Sequence, residues 1–130
     1  MSKGRTALVD TSIYVGQERR RPLLAEPPAA TAVSIVTIGE LRAGVLSADD
    51  ARSRSIRLQT LMRALATTPL PVDAPVAVAW AELRAALREL KHRMPVNDSW
   101  IAATAIAHGM PVVTQDGDYD DVPGLDVIRI

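Results

Sequence analysis

Thr6-Ala7-Leu8-Val9-Asp10-Thr11-Ser12 is the stretch on which the fold turns. Its short apolar run, with no polar alternation, reads as a strand buried on both faces. The run stops at a carboxylate, and Thr11 and Ser12 can cap a following helix. The same grammar recurs outward along the chain. Ala32 to Val36 reads as a second buried strand, and Thr37-Ile38-Gly39-Glu40 has the capping-box spacing ahead of Leu41 and Val45. Pro111-Val112-Val113-Thr114 reads as another buried strand, and Val127 to Ile130 as the last. Glu26-Pro27-Pro28 is a loop, and Pro69 to Val72 a short strand or extended edge.

Helical stretches lie between these strands. One opens at Ser47 to Asp50 and runs to about Ala66, with Ile56, Leu61, Met62 and Leu65 inward and Arg52, Arg54, Arg57 and Arg63 outward. Another starts at Asp73-Ala74-Pro75, carries Trp80, Leu83, Leu87 and Leu90 on one stripe, and ends around His92 to Met94. A third starts at Asn97 or Asp98, runs from Ser99 to His108, and meets Gly109 as its C-cap. Strands alternating with helices predict an α/β domain with a mainly parallel sheet and helices on both faces. In such folds ligands sit beyond the carboxyl ends of the strands, at the switch in strand order.

A chain of 130 residues and 14.0 kDa has room for one domain, 1–130. It has no cysteine and two histidines, His92 and His108, which excludes a disulfide framework, a thiolate zinc site and a thiol nucleophile. No apolar run approaches the roughly 20 residues of a membrane span. The start, Met1-Ser2-Lys3-Gly4-Arg5, leads into a run too short for a signal peptide. The expectation is a soluble, cytoplasmic protein with no membrane role. Net charge is zero, but residues 1–93 hold 14 Lys+Arg against 9 Asp+Glu, and residues 94–130 hold 1 Arg against 6 Asp. Neutrality argues against a simple basic nucleic-acid coat and leaves room for an acidic pocket beside a basic rim.

Four acids fall where such a fold gathers its site. Asp10 follows the first strand directly, and Asp116 comes two residues after Thr114. Glu40 and Asp98 sit in the first turns of their helices. Each has a structural reading as well: Asp10 as a cap, Glu40 in a capping box, Asp98 on a helix dipole, Asp116 opening a turn. Together they should converge. Two carboxylates ~4 Å apart repel by about 4 kcal/mol at an effective dielectric of about 20. Such a cluster needs a cation, a proton or a basic partner. An all-oxygen donor set without His or Cys points to a hard cation, Mg²⁺ or Mn²⁺.

Competing motifs fail on their own chemistry. Asp116-Gly117-Asp118-Tyr119-Asp120 opens like a calcium loop, but Asp121 holds the sixth position and Val127 the twelfth, so an EF-hand is rejected. There is no glycine-rich phosphate loop, G-x-S-x-G elbow or H-E-x-x-H. A phospho-acceptor receiver needs an acidic pair near the first strand and a late lysine, whereas Asp10 stands alone and the lysines are Lys3 and Lys91.

Four motifs resemble, in order and spacing, those of PIN-domain nucleases, particularly VapC-type toxins of toxin–antitoxin pairs. They are Ala7-Leu8-Val9-Asp10-Thr11-Ser12, Ser34-Ile35-Val36-Thr37-Ile38-Gly39-Glu40-Leu41, Asn97-Asp98-Ser99-Trp100-Ile101-Ala102-Ala103-Thr104-Ala105 and Val112-Val113-Thr114-Gln115-Asp116-Gly117-Asp118-Tyr119. The resemblance spans nearly the whole chain. It implies a PIN-like three-layer α/β/α sandwich and a Mg²⁺- or Mn²⁺-dependent endoribonuclease that acts as a toxin on translation and growth. It also implies a homodimer, a cognate antitoxin and a higher toxin–antitoxin assembly. Carried over residue by residue, Asp10, Glu40, Asp98 and Asp116 become the catalytic, metal-holding quartet, with Asp118 assisting and Thr11 positioning a metal-bound water. Gln115 stands where a basic residue is common and Tyr119 where Phe is common; both bear on substrate contacts more than on the metal.

An RNA substrate must meet positive charge. Arg19, Arg20 and Arg21 beside the helix that Thr11 and Ser12 open, and Arg52, Arg54 and Arg57 on the helix that runs to about Ala66, are the candidates, although arginine runs are usually solvated faces. Trp80 and Trp100 read as core in preference to stacking platforms, and His108 as a cap or dipole partner. An antitoxin arginine can enter an acidic pocket. Leu23, Leu24, Leu41, Val45 and Leu46 read either as a groove for an antitoxin helix or as core. Two rivals stand beside this reading. One is a non-catalytic RNA- or protein-binding module of the same fold. The other is a metal-dependent phosphatase, weakened because Ser12 occupies the place of a second acid. Transfer, ribosomal and messenger RNA all fit.

Overall fold

The computed structural model describes residues 5–130. The reading of Met1 to Gly4 as no leader lies outside the described residues. The elements run β1 (Ala7–Val9), α1 (Thr11–Glu18), β2 (Thr31–Ala32), α2 (Ile35–Leu46), α3 (Ala51–Leu65), α4 (Ala74–Glu89), α5 (Val96–His108), β3 (Val112–Thr114), a 3₁₀ turn (Gly117–Tyr119) and β4 (Val127–Arg129). The strands form one all-parallel sheet in the order β2-β1-β3-β4. Leu8 pairs with Ala32 on one side and with Val112 on the other. The chain steps from β1 outward to β2 and returns to place β3 on the opposite flank. The switch in strand order therefore lies between β1 and β3.

Alternation within β1 separates two cores. Ala7, Val9 and Val113 face Ile13 and Tyr14 of α1, Leu41 and Val45 of α2, and Leu61 and Ala64 of α3. Leu8 and Val112 face Leu83 and Leu87 of α4 and Ile101, Ala102 and Ala105 of α5. The result is the expected α/β/α layering. Alanines at 102 and 105, both fully buried, let α5 lie close to the sheet. Among the described residues no helix is long and apolar enough to cross a membrane.

Several boundaries differ from the sequence reading. The strand expected over Ala32 to Val36 is only Thr31–Ala32, because Ser34 caps α2 by accepting the Val36 N–H at 3.0 Å. A continuous apolar run does not distinguish a buried strand from a buried helix start. Thr37 and Glu40 are consequently not a capping box: Glu40 lies in the second turn of α2. On α3, Leu61 is buried as expected, but Ile56, Met62 and Leu65 are exposed, and Thr60 and Ala64 take the inward positions. The helix docks through Leu61 and the small side chains beside it. α4 ends at Glu89, short of the expected His92 to Met94, and leaves Leu90 exposed at its C-cap. Leu70 makes only an isolated bridge to Ser34, in keeping with an extended edge. The Asp116 to Gly124 region forms the acidic turn around the 3₁₀ segment.

Candidate active site

Asp10 ends the central strand and is 1% exposed. It caps α1 through the Ser12 N–H at 3.3 Å, so the capping reading and the site reading hold together. A buried carboxylate needs donors, and the fold supplies them. Tyr119 Oη donates to Asp10 Oδ1 at 2.7 Å, and Thr114 Oγ1 donates to Oδ2 at 2.9 Å. Since the Thr114 proton is committed to Asp10, its 3.2 Å contact with Ser12 Oγ has Ser12 as donor. Ser12 Oγ in turn accepts from the Gln115 N–H, and Thr114 Oγ1 from the Asp116 N–H. This chain of hydroxyls ties the end of β3 to the start of α1.

A second relay holds Glu40. Thr11 Oγ1 donates to Glu40 Oε1 at 2.7 Å, so its 2.9 Å contact with Thr37 Oγ1 has Thr37 as donor. Asn97 Nδ2 reaches Glu40 Oε2 at 3.4 Å. Thr11, expected to position a water, is thus also the residue that orients Glu40.

Asp10, Glu40, Asp98 and Asp116 line one cleft of about 300 Å³, together with Thr11, Arg19 and Arg21. It opens at the carboxyl edge of β1 and β3, where the strand order switches. Asp98 stands in the first turn of α5, a helix whose N-cap, Pro95, offers no side-chain bond. Burial pushes the Asp98 carboxyl up to about 8, helped by the hydrogen bond it shares with Asp118 and the charges of Asp10, Asp118 and Glu40. Two carboxyls can share a hydrogen bond only if one holds a proton, so the exposed Asp118 enters the cluster through Asp98. Asp116 is also raised, by burial and by the charges of Asp10 and Asp118, against the pull of Arg21 and Arg129. The Tyr119 phenol is raised far above its ordinary range, by burial and then by the charge on Asp10. It stays protonated and so serves Asp10 as a donor.

Like charges in one all-oxygen cleft fit a hard divalent cation. Among the described residues, no three acidic or histidine side chains are drawn tightly enough to grip an ion as they stand. The donors face a shared space without closing on it.

Other expectations are redistributed. On sequence grounds Tyr119 and Gln115 bear on substrate contacts more than on the metal. Instead Tyr119 is fully buried against Asp10, and Gln115 is buried beside Gly16 with its Oε1 unpartnered. Arg57 donates to Gly44 O at 2.7 Å and Arg54 to Ala48 O at 3.2 Å, which clamps the end of α2. Trp80 and Trp100 are half-buried and stacked, with ring centres 4.2 Å apart. His108 takes its expected place in the last turn of α5, ahead of Gly109 at φ +64°. Leu41 and Val45 are core, while Leu23, Leu24 and Leu46 are exposed. The residues missed from sequence were Thr37, Asn97, Thr114 and Tyr119. The available signal was chemical: a buried Asp10 demands donors, and hydroxyls cluster at the strand ends.

The chain matches the PIN domain family over residues 7–125. It is 46% identical to Ribonuclease VapC4 of Mycobacterium tuberculosis over 130 residues, covering 97% of this chain and 98% of the relative. It is 40% identical to Ribonuclease VapC5 of the same organism over 127 residues, covering 95% and 94%. The crystal structure of VapBC-5, a member of the VapBC family of toxin–antitoxin systems from M. tuberculosis, contains a chain that superposes with a TM-score of 0.87. That match has 38% identity and covers 98% of this chain and 100% of that one.

Proposed function

Because this chain belongs to the PIN domain family, and its relatives include ribonucleases, we propose that it is a divalent-metal-dependent endoribonuclease and the toxin of a toxin–antitoxin pair. The convergence of Asp10, Glu40, Asp98 and Asp116 on one cleft at the strand-order switch carries this reading.

Asp10, Glu40, Asp98 and Asp116 would hold Mg²⁺ or Mn²⁺, with Asp118 supporting Asp98. A bound ion supplies charge neutralisation at phosphodiester oxygens and a water of lowered pKa. The chain's own residues prepare that site. Tyr119 and Thr114 fix the Asp10 carboxylate, so its orientation costs nothing at the moment of reaction. The Thr37–Thr11 relay aims Glu40. Asp98 holds or yields its proton close to neutral pH, and its ionised form is the ligand. Arg19 and Arg21 in the cleft wall offer charge to the RNA backbone.

The partner reading rests on the VapBC-5 complex and on the chemistry of the cleft. An arginine from an antitoxin pairs with these carboxylates and competes with the ion. Leu24 and Leu46, 83% and 68% exposed, give an antitoxin helix an apolar landing, whereas Leu41 and Val45 do not. The working unit is a homodimer, and the silenced form a larger toxin–antitoxin assembly.

The test is cleavage of structured RNA against hydrolysis of a small phosphate ester, each with Mg²⁺, Mn²⁺ and chelator. Metal-dependent RNA cleavage that disappears in folded Asp10→Asn and Asp98→Asn is expected. Normal cleavage by both variants, or turnover of the ester alone, would end the proposal. Co-purification with the product of an adjacent small gene, and growth arrest when that product is absent, test the toxin assignment.

A further inference from the structure

Arg84, Arg88, His92 and Arg93 rim a hollow of about 320 Å³ floored by Leu87 and Met94. Both floor residues belong to the buried core between α4 and α5, so the hollow has a fixed apolar base. The rim is not neutralised from within. Among the described residues the ion pairs are Arg5 with Asp126 and Arg129 with Asp120. Neither touches this rim.

Helix electrostatics accounts for only one of these arginines. Arg88 lies in the last turn of α4, where positive charge meets the negative end of the helix dipole. Arg84 sits a turn earlier and half-buried, its guanidinium carbon 5.7 Å from the centre of the Trp80 ring. Trp80 is itself held by its stack on Trp100 and by its 3.0 Å bond to Ser99 Oγ. Arg84 is therefore ordered before any ligand arrives, which lowers the entropy lost on binding.

The helix end repeats the theme. The His92 N–H bonds to Leu87 O and the Lys91 N–H to Arg88 O, the paired bonds of a Schellman turn. Lys91 occupies the left-handed position of that turn at φ +54°, where glycine is favoured. The equivalent position after α5 is Gly109. Here the chain accepts backbone strain and carries a cation, and the turn directs His92 and Arg93 to the same hollow.

The hollow also lies at the right end of the molecule. The link that carries Arg93 leads straight into α5, and Asp98 stands five residues further on. Fully extended, that is at most about 18 Å. The carboxylate cleft repels a polyanion and has only two arginines in its wall, so affinity for RNA has to be gathered beside it.

We propose that this hollow is a second RNA-binding site, gripping the phosphodiester backbone of the substrate a few nucleotides from the bond held in the carboxylate cleft. It rests on the ribonuclease reading above. The arginine forks match phosphate oxygens, and each phosphate they neutralise releases counterions. The site therefore contributes affinity and placement along the strand, with no part in the chemistry.

The experiment compares the full chain with two triple variants. One is Arg84→Gln with Arg88→Gln and Arg93→Gln; the other places Lys at the same three positions. Binding to bulk transfer RNA is measured in chelator over a range of salt. Cleavage of that RNA and of a ribotrinucleotide is measured with Mn²⁺. In the Gln variant, affinity for transfer RNA should fall about tenfold or more, and the slope of log K against log salt should become shallower by about two. The Lys variant should keep the slope, and trinucleotide cleavage should be unchanged in both. Unaltered affinity and slope in the Gln variant would overturn the proposal. So would equal loss on the long RNA and the trinucleotide, which would assign these arginines to the cleft. Poly-glutamate binding more tightly than RNA, with the same dependence on the three arginines, would make the hollow a protein-docking site instead. A wild-type chain that cleaves neither RNA removes the ribonuclease reading, while the binding comparison still decides the hollow.

Discussion

Asp98 is the residue where fold and chemistry pull hardest against each other. Its carboxyl, raised to about 8, binds a proton in the folded state that an unfolded Asp gives up near pH 4, about its ordinary value. The folded state is therefore favoured by this group at low pH, and that advantage is lost as pH rises through about 8. In chelator, Tm should fall across that window, and Asp98→Asn should flatten the fall while abolishing RNA cleavage. A wild-type Tm independent of pH there would contradict the shared proton. Tyr119 offers a second measurement at the same scale. Tyr119→Phe removes the donor on Asp10 Oδ1 and leaves a buried carboxylate oxygen under-satisfied. A loss of about 1–3 kcal/mol in urea unfolding is expected.

At the scale of elements, the molecule depends on how α1 meets the end of β3. A Cβ at Gly16 would collide with the Gln115 amide, which is buried with Oε1 unpartnered. Gly16→Ala should destabilise by about 1–3 kcal/mol through overpacking, and Gln115→Ala should restore much of it. Additive losses in that double-mutant cycle would show that the two positions do not meet. The α2–α3 corner behaves differently. Arg57 caps carbonyl oxygen at the end of α2, so Arg57→Ala should cost about 0.5–1.5 kcal/mol and leave RNA cleavage unchanged. A large fall in RNA affinity with unchanged stability would return Arg57 to the substrate face. The sequence reading placed this arginine outward because a helical stripe alone does not show what the neighbouring helix end requires.

For the whole molecule, the governing quantity is uncompensated negative charge at one end. An ion that binds only the folded cleft stabilises it by mass action, about 2.7 kcal/mol at 100 times its Kd. Mg²⁺ or Mn²⁺ should raise Tm in a concentration-dependent way, and Asp10→Asn should remove the effect. No shift with either ion would disconnect the cleft from divalent metals. The same imbalance makes the cationic hollow beside α4 meaningful: neutral as a whole, the chain presents opposite charges close together, where a strand of RNA can meet both.

What was legible in the sequence was local and chemical. Short apolar runs ending in Asp10 and Thr114 declare buried parallel strands, and carboxylates just beyond strand ends have one edge on which to meet. The absence of cysteine and the scarcity of histidine leave oxygen as the donor. What only the tertiary structure decided depends on partners far apart along the chain. Tyr119 and Thr114 reach Asp10 across more than a hundred residues, and Thr37 and Thr11 aim Glu40 from two helices. The inward face of α3 is set by the shape of what it packs against. Hydrophobic periodicity records which side chains prefer burial, and a chain this small has fewer buried places than apolar side chains to fill them. Which of them remain at the surface, and which hydroxyl completes a buried carboxylate, is settled only when the layers close.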